Sequence, residues 1–435
     1  MDNPSESVRK PVRVEREVAL TGTFDGGVLA EHDFPNAWDV LEFDGVLDLD
    51  RLRQALAELV GATWRTHREV HLDGRVRSVP GRSDEPRFTL DSTTSDAGGL
   101  REVPRAVLRQ IREVLYGRYD LLDELVCRAH CIVLPRASRS YLALCFDHSI
   151  MDGYSLHRFV GLLADLYGGQ PLSPSSVQLP MAHIVDELDA EEAPDLAVYY
   201  EDAAADVSER ESEAGADWPP WSRTNTTEEQ LLTYSGAQCR ALVATIGTNG
   251  VSLPDFLLQA FARCVPLRDG VEAESISFSR LGRHGSTQRA VAGALAETAR
   301  TSTVFRDRGP AWGVGRLRDG DPGPRYGCRW PTDFVGVDGI FGMRRFVFNY
   351  LPRPRIFAFG PIRAISLDYS EHHLFFQDGR DDERTQRKSL LNLLAGRSSS
   401  GGLELLLLKD RTMVDEPVAE RLDEQVRRFT AGRKT

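Results

Sequence analysis

The sequence predicts a mixed α/β protein, of the α+β kind, with room for two core-bearing lobes. Three observations carry that expectation. Short apolar runs of strand length give way repeatedly to amphipathic helical spacing along the chain. The 435 residues suffice for two cores of ordinary domain size. A hydrophobic content of 41% with 27% charged residues is that of a soluble globular protein.

Taken in order, residues 1–15 are a polar tail. Residues 41–47 read as a strand, followed by a helix whose Leu49, Leu52, Leu56, Leu59 and Val60 share one face; an aspartate precedes it and Gly61 ends it. Residues 62–79 alternate like a strand and turn at Asp73-Gly74, a strong hairpin signal. A polar loop over 92–99 leads to a helix over 103–115. Residues 125–134 form a strand that pairs with a second over 141–146. The period then switches to helical, with Leu156, Phe159, Val160, Leu163 and Tyr167 on one face, Ser155 as the cap and Gly168-Gly169 as the stop. Residues 170–180 are a Pro/Ser-rich linker. In the second half, Ser252, Pro254 and Asp255 mark a helix start, 275–279 a strand, 345–350 and 403–408 further strands, and Val418, Leu422, Val426 and Phe429 the face of a closing helix.

Charge and cysteine usage narrow the function classes. A net charge of −12 argues against general nucleic-acid binding, which needs a basic footprint. Thirteen acids between residues 186 and 217 face one Arg210, the pattern of a solvated helical face. Residues 306–363 hold eleven arginines against five aspartates, and two readings stay open: a solvated surface, or a surface that receives phosphates. The six cysteines are dispersed through apolar runs, so Cys127 and Cys131 read as buried reduced thiols rather than a metal pair. No apolar run reaches the length of a membrane span and the polar start lacks a secretion pattern, which makes the cytoplasm the expected location.

One constellation carries chemistry. Of the ten histidines, only His148 has an aspartate four residues on, Asp152, and a glycine after that, Gly153. These lie where the apolar strand changes to the amphipathic helix, so a histidine is held on a corner fixed at both sides. The stretch resembles the HHxxxDG core of the condensation domains of nonribosomal peptide synthetases, members of the chloramphenicol acetyltransferase-like acyltransferase superfamily. Asp147 stands where the family has its first histidine. Further segments are similar in the family's order: Asp48 to Leu56, Trp64-Arg65-Thr66 and Asp73-Gly74 at the start, Arg280-Leu281-Gly282-Arg283 in the middle, Asn349-Tyr350 later. Residues 293–298 keep only Gly293 and Thr298 of the family's GxFVNT, and its HQDxPFE has no counterpart.

The resemblance covers residues 40 to 430 and implies two chloramphenicol acetyltransferase-like lobes in a V-shaped pseudo-dimer, with an active-site tunnel between them. The expected division is a tail over 1–15, an N-terminal lobe over 16–175 with the motif, an acidic linker over 176–225 and a C-terminal lobe over 226–435. His148 would be the general base, since a neutral imidazole suits proton removal near neutral pH. Asp152 would turn away to pair with Arg283, with Arg280 behind it, and Gly153 would leave room for the acceptor or the donor arm. The implied reaction joins an acyl thioester, on a carrier protein's phosphopantetheine arm or on coenzyme A, to an amine or hydroxyl in natural-product biosynthesis. No cofactor is expected to be bound. No adenylation, carrier or thioesterase pattern follows, so the donor would come in trans to a monomer. Two alternatives are a catalytically silent scaffold that recruits a partner protein, and an enzyme using the same tunnel for cyclisation. His157 reads as packing or surface. His372-His373, beside Asp368 and Glu371, would point to opposite faces of a strand with no metal-ligand motif around them. Gly313 and Gly315 lack the rest of a dinucleotide fingerprint, and no GxSxG occurs.

Overall fold

The structure, a computed structural model, describes residues 12–13, 36–63, 66–70, 75–80, 88–117, 126–146, 151–173, 179–180, 227–248, 250–265, 273–274, 276–280, 289, 291–292, 297–300, 304–305, 322–325, 346–351, 355–376, 391–410, 414, 417 and 418–430. Within them the chain builds two large sheets, each with its own helices, and three small ones of two or three strands.

In the first sheet the strands are β1 (Ala37–Phe43), β2 (Phe88–Thr94), β3 (Cys127–Leu134) and β4 (Arg139–Phe146). Strands β3 and β4 pair antiparallel, Cys127 opposite Phe146 and Leu134 opposite Arg139, as their apolar runs predict. Their continuous hydrophobicity has a physical cause, because both faces are covered. Leu142, Leu144 and Phe146 pack toward α1 (Leu49–Thr63) and α3 (Gly153–Tyr167), whereas Tyr141, Ala143 and Cys145 pack toward α2 (Arg105–Tyr116). Phe146 and Phe159 meet edge-to-face at 4.9 Å. Cys127, Cys131 and Cys145 are buried thiols that form no disulfide.

Two local expectations change, and a third is met in its strands. Helix α1 runs through Gly61 to Thr63, because Gly61 does not take the left-handed backbone that would end it. The polar loop begins only after Thr94, since residues 88–94 form an edge strand in parallel register with β3. Phe88 is buried while Thr89, Asp91, Ser92 and Thr94 are exposed, and its threonines suit an edge position. The hairpin expected around Asp73-Gly74 has strands Thr66–Val70 and Arg75–Pro80 with Val70 opposite Val76, while the turn residues lie outside those described.

In the second sheet the order is β8-β7-β6-β9-β12-β13-β5. Its strands are β5 (Thr227–Tyr234), β6 (Ser277–Arg280), β7 (Glu297–Arg300), β8 (Pro322–Arg325), β9 (Phe346–Tyr350), β12 (Leu391–Arg397) and β13 (Leu403–Asp410). One face packs on α4 (Gly236–Gly247), α5 (Leu253–Ala262) and α7 (Val418–Thr430). Ser235 and Gln238 form a capping box on α4, and Ser252 caps α5. The predicted face of α7 is the packed one: Val418, Leu422 and Val426 are buried and Phe429 meets Phe256 at 5.0 Å.

Two elements join the sheets. Strands β10 (Ile356–Phe359) and β11 (Ile362–Ser366) leave the second half of the sequence and enter the first sheet, giving the order β10-β11-β1-β4-β3-β2. Helix α6 (Tyr369–Phe376) follows and touches both sheets: Tyr369 packs with Leu406 and Leu408 of β13, and His372 lies between Trp38 and Tyr369 at 5.1 and 5.3 Å. His372 and His373 are thus on a helix and not a strand, and His372 is buried in aromatic packing. Among the described residues no helix is long and apolar enough to cross a membrane.

Candidate active site

The corner is fixed from both ends. β4 finishes at Phe146 and α3 begins at Gly153, so residues 147–152 connect a buried strand to a buried helix. Met151 and Asp152 are described and buried; Asp147 and His148 lie outside the described residues. The cap of α3 is Asp152 rather than Ser155. Its Oδ1 accepts the backbone N–H of Ser155 at 2.9 Å, satisfying one of the free donors of the first turn. A carboxylate there also complements the positive end of the helix dipole. The far end of α3 closes with Gly169 at φ +85°, as the Gly-Gly stop predicts.

Helix α3 is held at several further points. The backbone N–H of Asp48 donates to Tyr167 Oη at 2.9 Å, tying α3 to the start of α1. Arg158 donates to the carbonyl of Arg289, and residues Val291–Ala292 pair in parallel with Leu179–Pro180. The chain entering the 293–298 segment therefore lies beside the site helix.

Sequence reasoning missed an ionic cluster under the first turn of α3. Asp39 on β1 is a buried carboxylate whose Oδ2 accepts from Arg355 Nη1 at 3.2 Å and from the Ser366 hydroxyl at 3.1 Å, while Oδ1 accepts from Val40 N–H at 3.0 Å. Asp39 in the apolar strand Ala37–Phe43 was the available signal, because a carboxylate on a covered strand needs a partner. His157 lies on α3 with its ring 5.2 Å from Phe357. Burial, then the charge of Arg355, lowers its pKa from the usual imidazole value, and Asp39 pulls the other way. The arginine-rich 306–363 stretch is represented here by two ion pairs, the buried Arg355–Asp39 and the exposed Arg363–Asp44 at 3.7 Å. Arg355 therefore fits neither the solvated nor the phosphate-receiving reading of that stretch.

No family model matches the sequence, and no curated protein matches it. Solved structures do. The SgcC5 protein from Streptomyces globisporus is similar over 97% of this chain and 98% of its own, with a TM-score of 0.64 at 17% identity. The first condensation domain of the calcium-dependent antibiotic synthetase, in complex with substrate analogue 3a, is similar over 98% and 96%, with a TM-score of 0.64 at 16% identity. The chain has a condensation-domain-like fold. A third similar structure is a mutant of the starter condensation domain of rhizomide synthetase RzmA in complex with C8-CoA, with a TM-score of 0.57 at 14% identity over 91% and 89%.

Within the condensation-like fold, three separated family-like segments fall on adjacent strands. Arg280 ends β6, opposite Glu297 of β7, and Ser279 faces Thr298. On the other side of β6, Phe278 registers with Phe348 of β9, the strand that carries Asn349 and Tyr350. Arg280 is described for its backbone, and Arg283 lies outside the described residues. Gly153 sits in the first turn with an open Cα: a Cβ there would meet Arg355 Nη2 at 3.7 Å, an ordinary contact.

Proposed function

We propose that the chain is an acyltransferase of the condensation type, joining a thioester-borne acyl group to an amine or hydroxyl acceptor with His148 as general base. The observation that carries this reading is the location of the motif: residues 147–152 connect β4 to the capped start of α3 within a condensation-domain-like fold. In the reaction the acceptor nitrogen or oxygen attacks the thioester carbonyl while the His148 imidazole takes its proton. The tetrahedral intermediate then collapses, the C–S bond breaks, and the departing thiolate takes up a proton. A positioned base of this kind supplies on the order of 10²–10⁴-fold.

The other motif residues have supporting roles. Asp152 holds the helix start through its cap, and its remaining charge is assigned to Arg283, with Arg280 behind it. Gly153 leaves the first turn without a side chain beside the corner, and Asp147 stands next to the base. The donor is carried on a carrier protein's phosphopantetheine arm or on coenzyme A, and the similar RzmA domain in complex with C8-CoA supports the second form. The setting is natural-product assembly with a soluble, monomeric catalyst.

The test is incubation with carrier-bound and CoA-bound acyl donors and a panel of amines and alcohols, read by mass spectrometry. Wild type is expected to give an amide or ester, and His148→Ala about 10²-fold less or below. Equal product from the variant removes His148 as base. A silent scaffold is favoured by Asp147 at the place of the first motif histidine, and it is the reading left standing if wild type turns over no donor.

A further inference from the structure

The crossover hairpin lies along the site helix from one end to the other. Arg355, just before β10, places Nη2 3.7 Å from where a Cβ on Gly153 would stand at the start of α3; Phe357 meets His157 at 5.2 Å; Phe359 meets Tyr167 at 5.5 Å; and the backbone N of Gly360 would stand 3.3 Å from a Cβ on Gly168. Arg355 is itself 7% exposed, and its Nη1 is held 3.2 Å from Asp39 Oδ2, the oxygen that also accepts from Ser366. The guanidinium cannot swing out without leaving a buried carboxylate short of its cation. Asp39 belongs to β1, Ser366 to β11 and Gly153 to α3, so the Arg355–Asp39 pair, with the Ser366 hydroxyl bonded to Asp39, links β1 and β11 beside the first turn of α3.

We infer that Arg355 is a positioning residue of the acyl-transfer site: pinned by Asp39 and Ser366, its guanidinium props the first turn of α3 at Gly153, so that the corner is placed from the second half of the chain. Its kinetic consequence rests on the acyl-transfer reading; its geometry does not. The neighbouring imidazole gives a readout independent of turnover. Among the described residues, Arg355 and Asp39 are the charged groups that act on His157, Arg355 lowering its pKa and Asp39 raising it. Where the guanidinium sits is therefore legible in the titration of that ring.

The experiment uses the full chain with Arg355→Gln and Arg355→Lys, following the His157 ring by NMR titration (assigned with His157→Gln), thermal unfolding, and kcat and KM for a thioester donor. Arg355→Gln is expected to raise the His157 pKa and to lower kcat about tenfold with donor KM within about twofold, as loss of orientation does. Arg355→Lys keeps the charge without the planar fork and is expected to fall between the two in kcat. A folded Arg355→Gln with the wild-type titration and kcat overturns the inference. If that variant does not fold, wild-type kcat in Arg355→Lys overturns it instead. A wild type without turnover, whose His157 pKa still moves in Arg355→Gln, refutes the acyl-transfer reading while supporting the prop.

Discussion

Asp152 is a residue where two roles can be separated by one atom. Asparagine keeps an acceptor for the Ser155 N–H but drops the charge that Arg283 is expected to meet. Asp152→Ala is predicted to lose about 0.5–2 kcal/mol with the cap. Asp152→Asn should hold stability within about 0.5 kcal/mol and still reduce turnover if the charge matters; chemical denaturation beside kinetics decides, and equal activity in Asp152→Asn sinks the ionic lock. Gly153→Ala makes the complementary case. The added methyl meets only an ordinary contact, and alanine suits a helix better than glycine, so stability should rise by up to about 1 kcal/mol. Activity lost in that stabilised variant would show that something other than protein must pass Gly153. Burial lowers the pKa of both His130 and His157, with Asp91 opposing at His130. The unfolded chain then binds protons more readily, so this contribution to stability is present above the ordinary histidine value and is lost as pH falls through the lowered one. Denaturation at about pH 7.5 and 5.5 should show a drop that His130→Gln lessens; an equal drop in the variant removes His130 from the account.

At the scale of elements, α6 depends on a strand of the other sheet. Glu404 of β13 accepts the N–H of Tyr369 at 2.6 Å and that of Ser370 at 3.4 Å, so a distant carboxylate does the work of a cap. Burial raises its pKa, and the hydrogen bonds oppose. Because the folded value lies above the unfolded one, stability from this group is fully present below about pH 4.5 and is lost as pH rises through the folded value. Glu404→Gln keeps an acceptor and removes the desolvated charge, so it should match or exceed wild-type stability at neutral pH. Glu404→Ala leaves buried donors unmatched and should cost about 1–3 kcal/mol. Urea unfolding of the two variants checks the order, and a glutamine variant weaker than alanine refutes it. The helix face of α7 and the cap of α5 were legible because each depends on neighbours within a few residues. The cap of α6 was not, since its acceptor stands 35 residues away.

For the whole molecule, the crossover strands complete the first sheet with chain from the second half, and α6 packs against a strand of the second sheet. Cooperative unfolding follows as an expectation. Phe159→Ala, which removes a fully buried ring from the first core, should cost about 3–5 kcal/mol and lower protection in both sheets together. Hydrogen exchange at β13 amides is the measurement, and full protection there with the first sheet opened would mean two independent units. The apolar runs of β3 and β4 announced a pair of strands, but not that both of its faces are covered. Only the folded chain shows α1 and α3 on one side and α2 on the other.

Local physics explains what the sequence by itself determined: the mixed α/β class, the strand-corner-helix around His148, Asp152 and Gly153, and most helix starts follow from periodicity and capping within a few residues. Tertiary structure alone decided that Asp152 rather than Ser155 caps α3, that His372 is buried on a helix, and that Asp39 meets Arg355. Those two partners stand 316 residues apart, and a charge pair is chosen by which surfaces close on each other, a quantity no local pattern encodes.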